Sequence, residues 1–211
     1  MEKYNREKHH RRSIRLKGYD YAQAGAYFIT VCTHGKENLF GEITNGEMQF
    51  NQYGEIVMQE WFQTEVLRLN VELDAFVVMP NHVHGIILIT EKLYQNNNII
   101  NDRRGTASCA PRESCALEQG TARCAPTDET GFRTKMIAGS LPVIVRSYKA
   151  ACTKRINQIR DSEGCKVWQR GYYDHIIRDE DDLSNIREYI SNNPFGWVKD
   201  EYNPTLKRES P

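Results

Sequence analysis

The sequence predicts an α+β fold: one sheet of antiparallel strands with helices packed on a face. Two observations point there. Short runs rich in β-branched and aromatic residues, such as 27–32 and 86–89, stand between turn signals. Longer stretches with apolar residues at helical spacing separate them, at 52–68 and from 140 onward. The elements follow in the order βββαβ, insert, αβα.

Residues 1–18 form a basic arm in which seven Lys or Arg face only Glu2 and Glu7. Tyr27 to Cys32 is the first strand, and His34 to Asn38 marks a turn. Leu39–Ile43 and Met48–Phe50 make a hairpin around Asn45-Gly46, a strong turn dipeptide. Ile56, Val57, Trp61, Phe62 and Val66 give residues 52–68 a helical face. A strand pair at 74–90 follows, with Phe76-Val77-Val78 and Ile86-Ile87-Leu88-Ile89 flanking Met79-Pro80-Asn81-His82-Val83-His84-Gly85. Residues 91–136 differ in character. They hold Asn96-Asn97-Asn98 and a near-duplicate, Gly105 to Pro111 recurring as Gly120 to Pro126. Two copies are too few for a stacked repeat, and without apolar periodicity the segment reads as an inserted, disordered loop. The domain is therefore a single one, 19–211, interrupted at about 91–136. Beyond the insert, Ser140 caps a helix whose apolar face includes Val143, Ile144, Tyr148, Cys152, Ile156 and Ile159. Tyr172 to Ile177 is the last strand. Asp179-Glu180-Asp181-Asp182 opens the last helix, where carboxylates suit the helix dipole better than they suit a magnesium cluster.

Composition narrows the function. Apolar residues make up 39 % of the 211, with a mean hydropathy of −0.66. No apolar run approaches the roughly 20 residues of a membrane helix. The charged N-terminus lacks a signal-peptide core. Six cysteines without a Cys-x-x-Cys pair suggest reduced thiols in a cytoplasmic protein, with neither a zinc site nor a disulfide framework. Cys32 and Cys152 fall in apolar segments, as small hydrophobes do. Formal net charge is zero, yet a second basic stripe runs through Arg146, Lys149, Lys154, Arg155 and Arg160, with Lys166 and Arg170 close behind. Two basic segments in a neutral chain suit a polyanion tracked along one surface, and equally suit solvated faces.

In a strand, His82 and His84 share a face, with Val83 on the other. Two imidazoles so placed can hold a divalent cation with open positions for substrate oxygens. An ordinary pair of strand-end histidines fits the spacing too. On the last helix Leu183, Ile186 and Ile190 form the buried stripe, with Tyr189 at its edge. Asn193 lies at i+4 from Tyr189, hence on the same side, although Pro194 disturbs helical geometry there. Other tyrosines compete as nucleophile. Tyr148 sits on a packed helix face, while Tyr172 and Tyr173 point to opposite faces of a strand. His175 reads as a DNA contact or as a structural strand histidine.

The chain resembles the single-tyrosine HUH transposases, particularly the REP-associated tyrosine transposases. The resemblance lies in Arg11-Arg12-Ser13-Ile14-Arg15, Tyr19-Asp20-Tyr21, Ala26 to Thr30, Met79 to Gly85, Trp168 to Gly171, Tyr173 to Arg178 and Tyr189 to Pro194, in the family's order. It implies a ferredoxin-like antiparallel sheet with His-x-His on a central strand, and a nucleophilic tyrosine on a C-terminal helix. By motif position Tyr189 is the nucleophile, and His82, His84 and Asn193 are ligands of Mg²⁺ or Mn²⁺. Arg11, Arg12, Arg15, Lys149, Arg155, Arg170 and His175 are the candidate contacts to single-stranded or hairpin DNA. The activity implied is cleavage and rejoining of single-stranded DNA through a 5′-phosphotyrosine. A catalytically silent nucleic-acid-binding protein and a water-using metal nuclease are the alternatives. No membrane or small-molecule cofactor is expected, and monomer and homodimer both stay open.

Overall fold

The computed structural model describes residues 16, 18–91 and 137–204. The basic-arm residues Arg11, Arg12 and Arg15, and all of the expected insert except Glu91, lie outside the described residues.

The strands are β1 (Gly25–Cys32), β2 (Gly41–Thr44), β3 (Glu47–Phe50), β4 (Val71–Met79), β5 (His82–Ile89) and β6 (Tyr173–Ile177). The α-helices are α1 (Gln52–Val66), α2 (Leu141–Ile159) and α3 (Glu180–Gly196). The strand pair before the insert is thus two full strands where the element order counted one. The β2–β3 hairpin forms a separate two-stranded sheet. Its turn residues Asn45 and Gly46 both take left-handed backbone (φ 54° and 79°), the conformation that makes Asn-Gly a hairpin turn. The main sheet is antiparallel, in the order β4-β5-β1-β6. With α1 joining β1 to β4 by way of the hairpin, and α2 preceding β6, this is the ferredoxin-like βαββαβ arrangement, and β5 is central.

Side-chain alternation along β5 divides the molecule. Val83, Ile87 and Ile89 face α1 and α2, packing with Ile56, Val57, Trp61, Ile144, Cys152 and Ile156. His82, His84 and Ile86 face the other way. There Ile86, Phe28 and Ile177 pack under Ile190 of α3, with Leu183 and Ile186 beside them. So α1 and α2 cover one face as a layer, and α3 lies across the opposite face. It does so because the apolar half of that face, Phe28 and Ile86, also has to be removed from water.

Local chemistry accounts for the helix ends. The Asn51 side chain accepts from the backbone N–H groups of Tyr53 and Gly54 at the start of α1. Asp179 accepts from Asp182 N–H at 2.8 Å at the start of α3. Ser140 occupies the cap position of α2 but makes no side-chain cap bond, and its hydroxyl donates to Ile137 O instead. The α3 helix continues through Pro194, where the sequence suggested a disturbance; this close to the C-terminal end the missing N–H removes one bond and no further turns depend on it. Among the described residues, no helix is long and apolar enough to cross a membrane.

Candidate active site

A two-residue connection, Pro80-Asn81, turns β4 into β5, so that Met79 pairs with His82 at the strand's first position. On the other side of β5, β1 sets Thr30 opposite His84. The two imidazoles lie side by side with their Nε2 atoms 3.0 Å apart, and neither ring is more than 1 % exposed. Burial pushes the His82 ring down to about 2, helped by His84 and Lys36, and the His84 ring down to about 3. Both are therefore neutral at ordinary pH, the form that ligates metals. Each ring has an outer partner. His82 Nδ1 meets Asn81 Oδ1 at 2.8 Å, and His84 Nδ1 meets Thr30 Oγ1 at 2.8 Å. Phe28 stacks on the His84 ring at 5.4 Å.

Tyr189 reaches this pair from α3. Its Oη lies 3.4 Å from His84 Nε2, its ring stands 5.2 Å from the His84 ring, and it is 47 % exposed. Burial pushes its phenol up, and the Asn193 side chain acts against that. Asn193 is buried, and its Oδ1 has no hydrogen-bond partner among the described residues. A cleft of about 370 Å³ opens here, lined by Tyr189, Asn192, Asn193, Gly196, Lys199, Asp200 and Glu201. From the segment after α3, the Tyr202 ring packs 4.7 Å from that of His82. Asp200 Oδ2 lies 4.0 Å from His82 Nε2, beyond hydrogen-bond reach and opposite a neutral ring, so the two do not form an ion pair. Among the described residues no three His, Cys, Asp or Glu side chains converge to hold an ion. A cation on His82 and His84 would therefore draw further oxygens from an amide such as Asn193, or from water and substrate. Two neutral imidazoles and an unpartnered buried amide oxygen fit such an ion chemically.

The other sequence candidates are distributed differently. Tyr148 is core, its hydroxyl donating to Val57 O, and Tyr172 packs against the α1–α2 side. Tyr173 pairs with Thr30, so it shares the histidine face, exposed and edge-on to Phe28. Lys149 donates from Nζ to Gln169 O and Gly171 O, both at 2.7 Å, and burial pushes its ammonium down to about 8. Arg155 joins α2 to α1 through Glu60 at 2.8 Å and Gln59 at 2.7 Å. Both belong to the helix on the far face of the sheet from the histidines. Arg170 is exposed next to the loop that Lys149 holds. His175 pairs with Asp182 at 2.8 Å. Asn81, Thr30, Asp200 and Tyr202 were assigned no role by sequence reasoning. Asn81 had one local signal, its place immediately before His82.

A ferredoxin-like sheet with a buried His-x-His pair and a tyrosine facing it from a C-terminal helix defines the class of site. No family model matches the chain. An uncharacterised protein of Haemophilus influenzae is 42 % identical over 199 residues, covering 94 % of this chain and 96 % of that one. The chain belongs to one family with it. Among solved structures, the chain is similar to a REP-associated tyrosine transposase bound to a REP hairpin, at 16 % identity and a TM-score of 0.46, covering 94 % of this chain and 89 % of the other. It is also similar to a candidate transposase of Deinococcus radiodurans, at 15 % identity and a TM-score of 0.36, covering 85 % and 97 %. Likeness at that level assigns no function.

Proposed function

We propose that the chain is a metal-dependent transposase of the single-tyrosine HUH kind, which cleaves and rejoins single-stranded, hairpin-bearing DNA. The observation that carries this is the approach of Tyr189 Oη to 3.4 Å from His84 Nε2, within a pair of buried, neutral imidazoles. A phenol next to two cation ligands and an amide oxygen is suited to attack on phosphorus, and the motifs quoted above support the same reading.

His82, His84 and Asn193 would hold Mg²⁺ or Mn²⁺, which when bound draws charge from a phosphodiester oxygen. The Tyr189 oxygen attacks phosphorus in line. The bond to the 3′ oxygen breaks, the phenolic proton ends on that oxygen, and a 5′-phosphotyrosine is left with a free 3′-hydroxyl. Attack by another 3′-hydroxyl reverses these steps and joins strands. Phe28 and Ile190 hold Tyr189 and its helix against the sheet, and the cleft alongside leaves room for the strand. Arg11, Arg12, Arg15 and Arg170 supply cations for its phosphates, with His175 at the sheet edge. Lys149, Arg155 and His175 already hold partners within the chain, so a DNA contact by any of them would compete with those bonds.

The test is a denaturing gel of the protein with labelled hairpin-bearing single strands and Mn²⁺. A protein–DNA adduct that requires the ion and is lost in Tyr189→Phe is the expected outcome. Cleavage without an adduct would make water the nucleophile. Binding indifferent to chelator and to Tyr189→Phe would make the protein a silent binding module.

A further inference from the structure

We infer that Asn81 is a positioning residue that fixes His82 in the Nδ1–H tautomer and so keeps the Nε2 lone pair of His82 free for a cation. Asn81 is fully buried, and its Nδ2 donates both protons to backbone carbonyls, Lys36 O at 3.0 Å and Tyr202 O at 2.8 Å. Rotating the amide by a half-turn would set its oxygen against two acceptors. The orientation is therefore pinned, and Oδ1 faces His82 Nδ1 at 2.8 Å. An amide oxygen only accepts, so His82 Nδ1 carries the proton and His82 Nε2 keeps its lone pair.

The other ring has a different kind of partner: the Thr30 hydroxyl lies 2.8 Å from His84 Nδ1. A hydroxyl rotor can donate or accept there, whereas the clamped Asn81 amide can only accept. Outer partners of this kind hold metal-ligating histidines in register elsewhere. Here the two are unequal: one fixed, one adaptable.

The tautomer stands on hydrogen bonds alone, and its use in holding an ion rests on the site proposed above. Long-range ¹H–¹⁵N correlation spectra should show His82 protonated on Nδ1, both before and after Mg²⁺ is added. A His82 found as Nε2–H overturns the inference. Asn81→Ala should scramble the His82 tautomer and weaken Mg²⁺ binding about 10–100-fold. Asn81→Asp keeps an acceptor but turns an oxygen to the carbonyls of Lys36 and Tyr202, so it should hold the tautomer less well than the wild type. If both variants merely lower the melting temperature, with tautomer and affinity intact, Asn81 is a structural bridge only. Failure of every DNA strand to be cleaved would count against the proposed function and leave these spectra unaffected.

Discussion

Gly85 lies on the face of the sheet that α1 covers, directly under Trp61. A Cβ there would lie 2.5 Å from Cη2 and Cζ2 of Trp61, and 3.1 Å from Cδ2 of Phe76. Trp61 cannot yield easily, since its ring stacks on Phe76 at 4.4 Å and meets Tyr148 edge-on at 5.6 Å. Gly85→Ala should therefore destabilise the fold by about 1–3 kcal/mol, read by urea unfolding. Combining it with Trp61→Leu should recover part of the loss relative to the sum of the two single changes; strict additivity would mean the clash is not the cause. At this scale i,i+2 and i,i+4 spacing needs only the local chain, so it could set His82 beside His84 and Tyr189 beside Asn193, while the roles expected of them came from the motif resemblance. Thr30 was not legible in this way, because its bond to His84 spans 54 positions and depends on the register between β1 and β5.

Helix α3 is held by more than its apolar stripe. Arg187 reaches back to Asp74 of β4, with Nη2 to Oδ2 at 2.6 Å. The Arg187 hydrogen bonds hold the Asp74 carboxyl below the usual carboxylate range, against a smaller opposing effect of burial. A carboxyl so depressed stabilises the folded chain above its unfolded value of about 3.9 and loses that contribution as pH falls through the folded value. Wild type should therefore melt above Asp74→Asn at neutral pH, with the gap closing below about pH 4. The gap should be small, because Arg187 is half exposed and solvent screens the pair. A gap that persists undiminished to about pH 2 would show that ionisation of Asp74 is not what ties α3 down. No local pattern hints at this tie, which joins positions 113 residues apart. The start of α3 was readable from the sequence, since the Asp179 cap and the acidic first turn are local signals.

For the whole molecule, periodicity revealed strands and helices but not the order β4-β5-β1-β6, because β1 pairs with β5 across the hairpin and α1, and with β6 across the insert. The central place of the histidine strand became an expectation through motif resemblance, and the sheet has it there. If His82 and His84 hold a cation only in the folded chain, ligand binding must stabilise the whole fold. Mg²⁺ at a hundredfold excess over its dissociation constant should add about 2.7 kcal/mol, seen as a higher melting temperature that chelation reverses. His84→Ala should abolish the increment. An increment that survives would place the ion elsewhere. The alternation along β5 has one more consequence. Because successive positions serve opposite faces, a slip of one residue against β1 would trade both imidazoles for Val83 and Gly85. It would also drive the rings against Trp61. A misthreaded copy would thus lose its ligands and its core in the same error, and under the activity proposed here a folding mistake could not release a stray nickase into the cell.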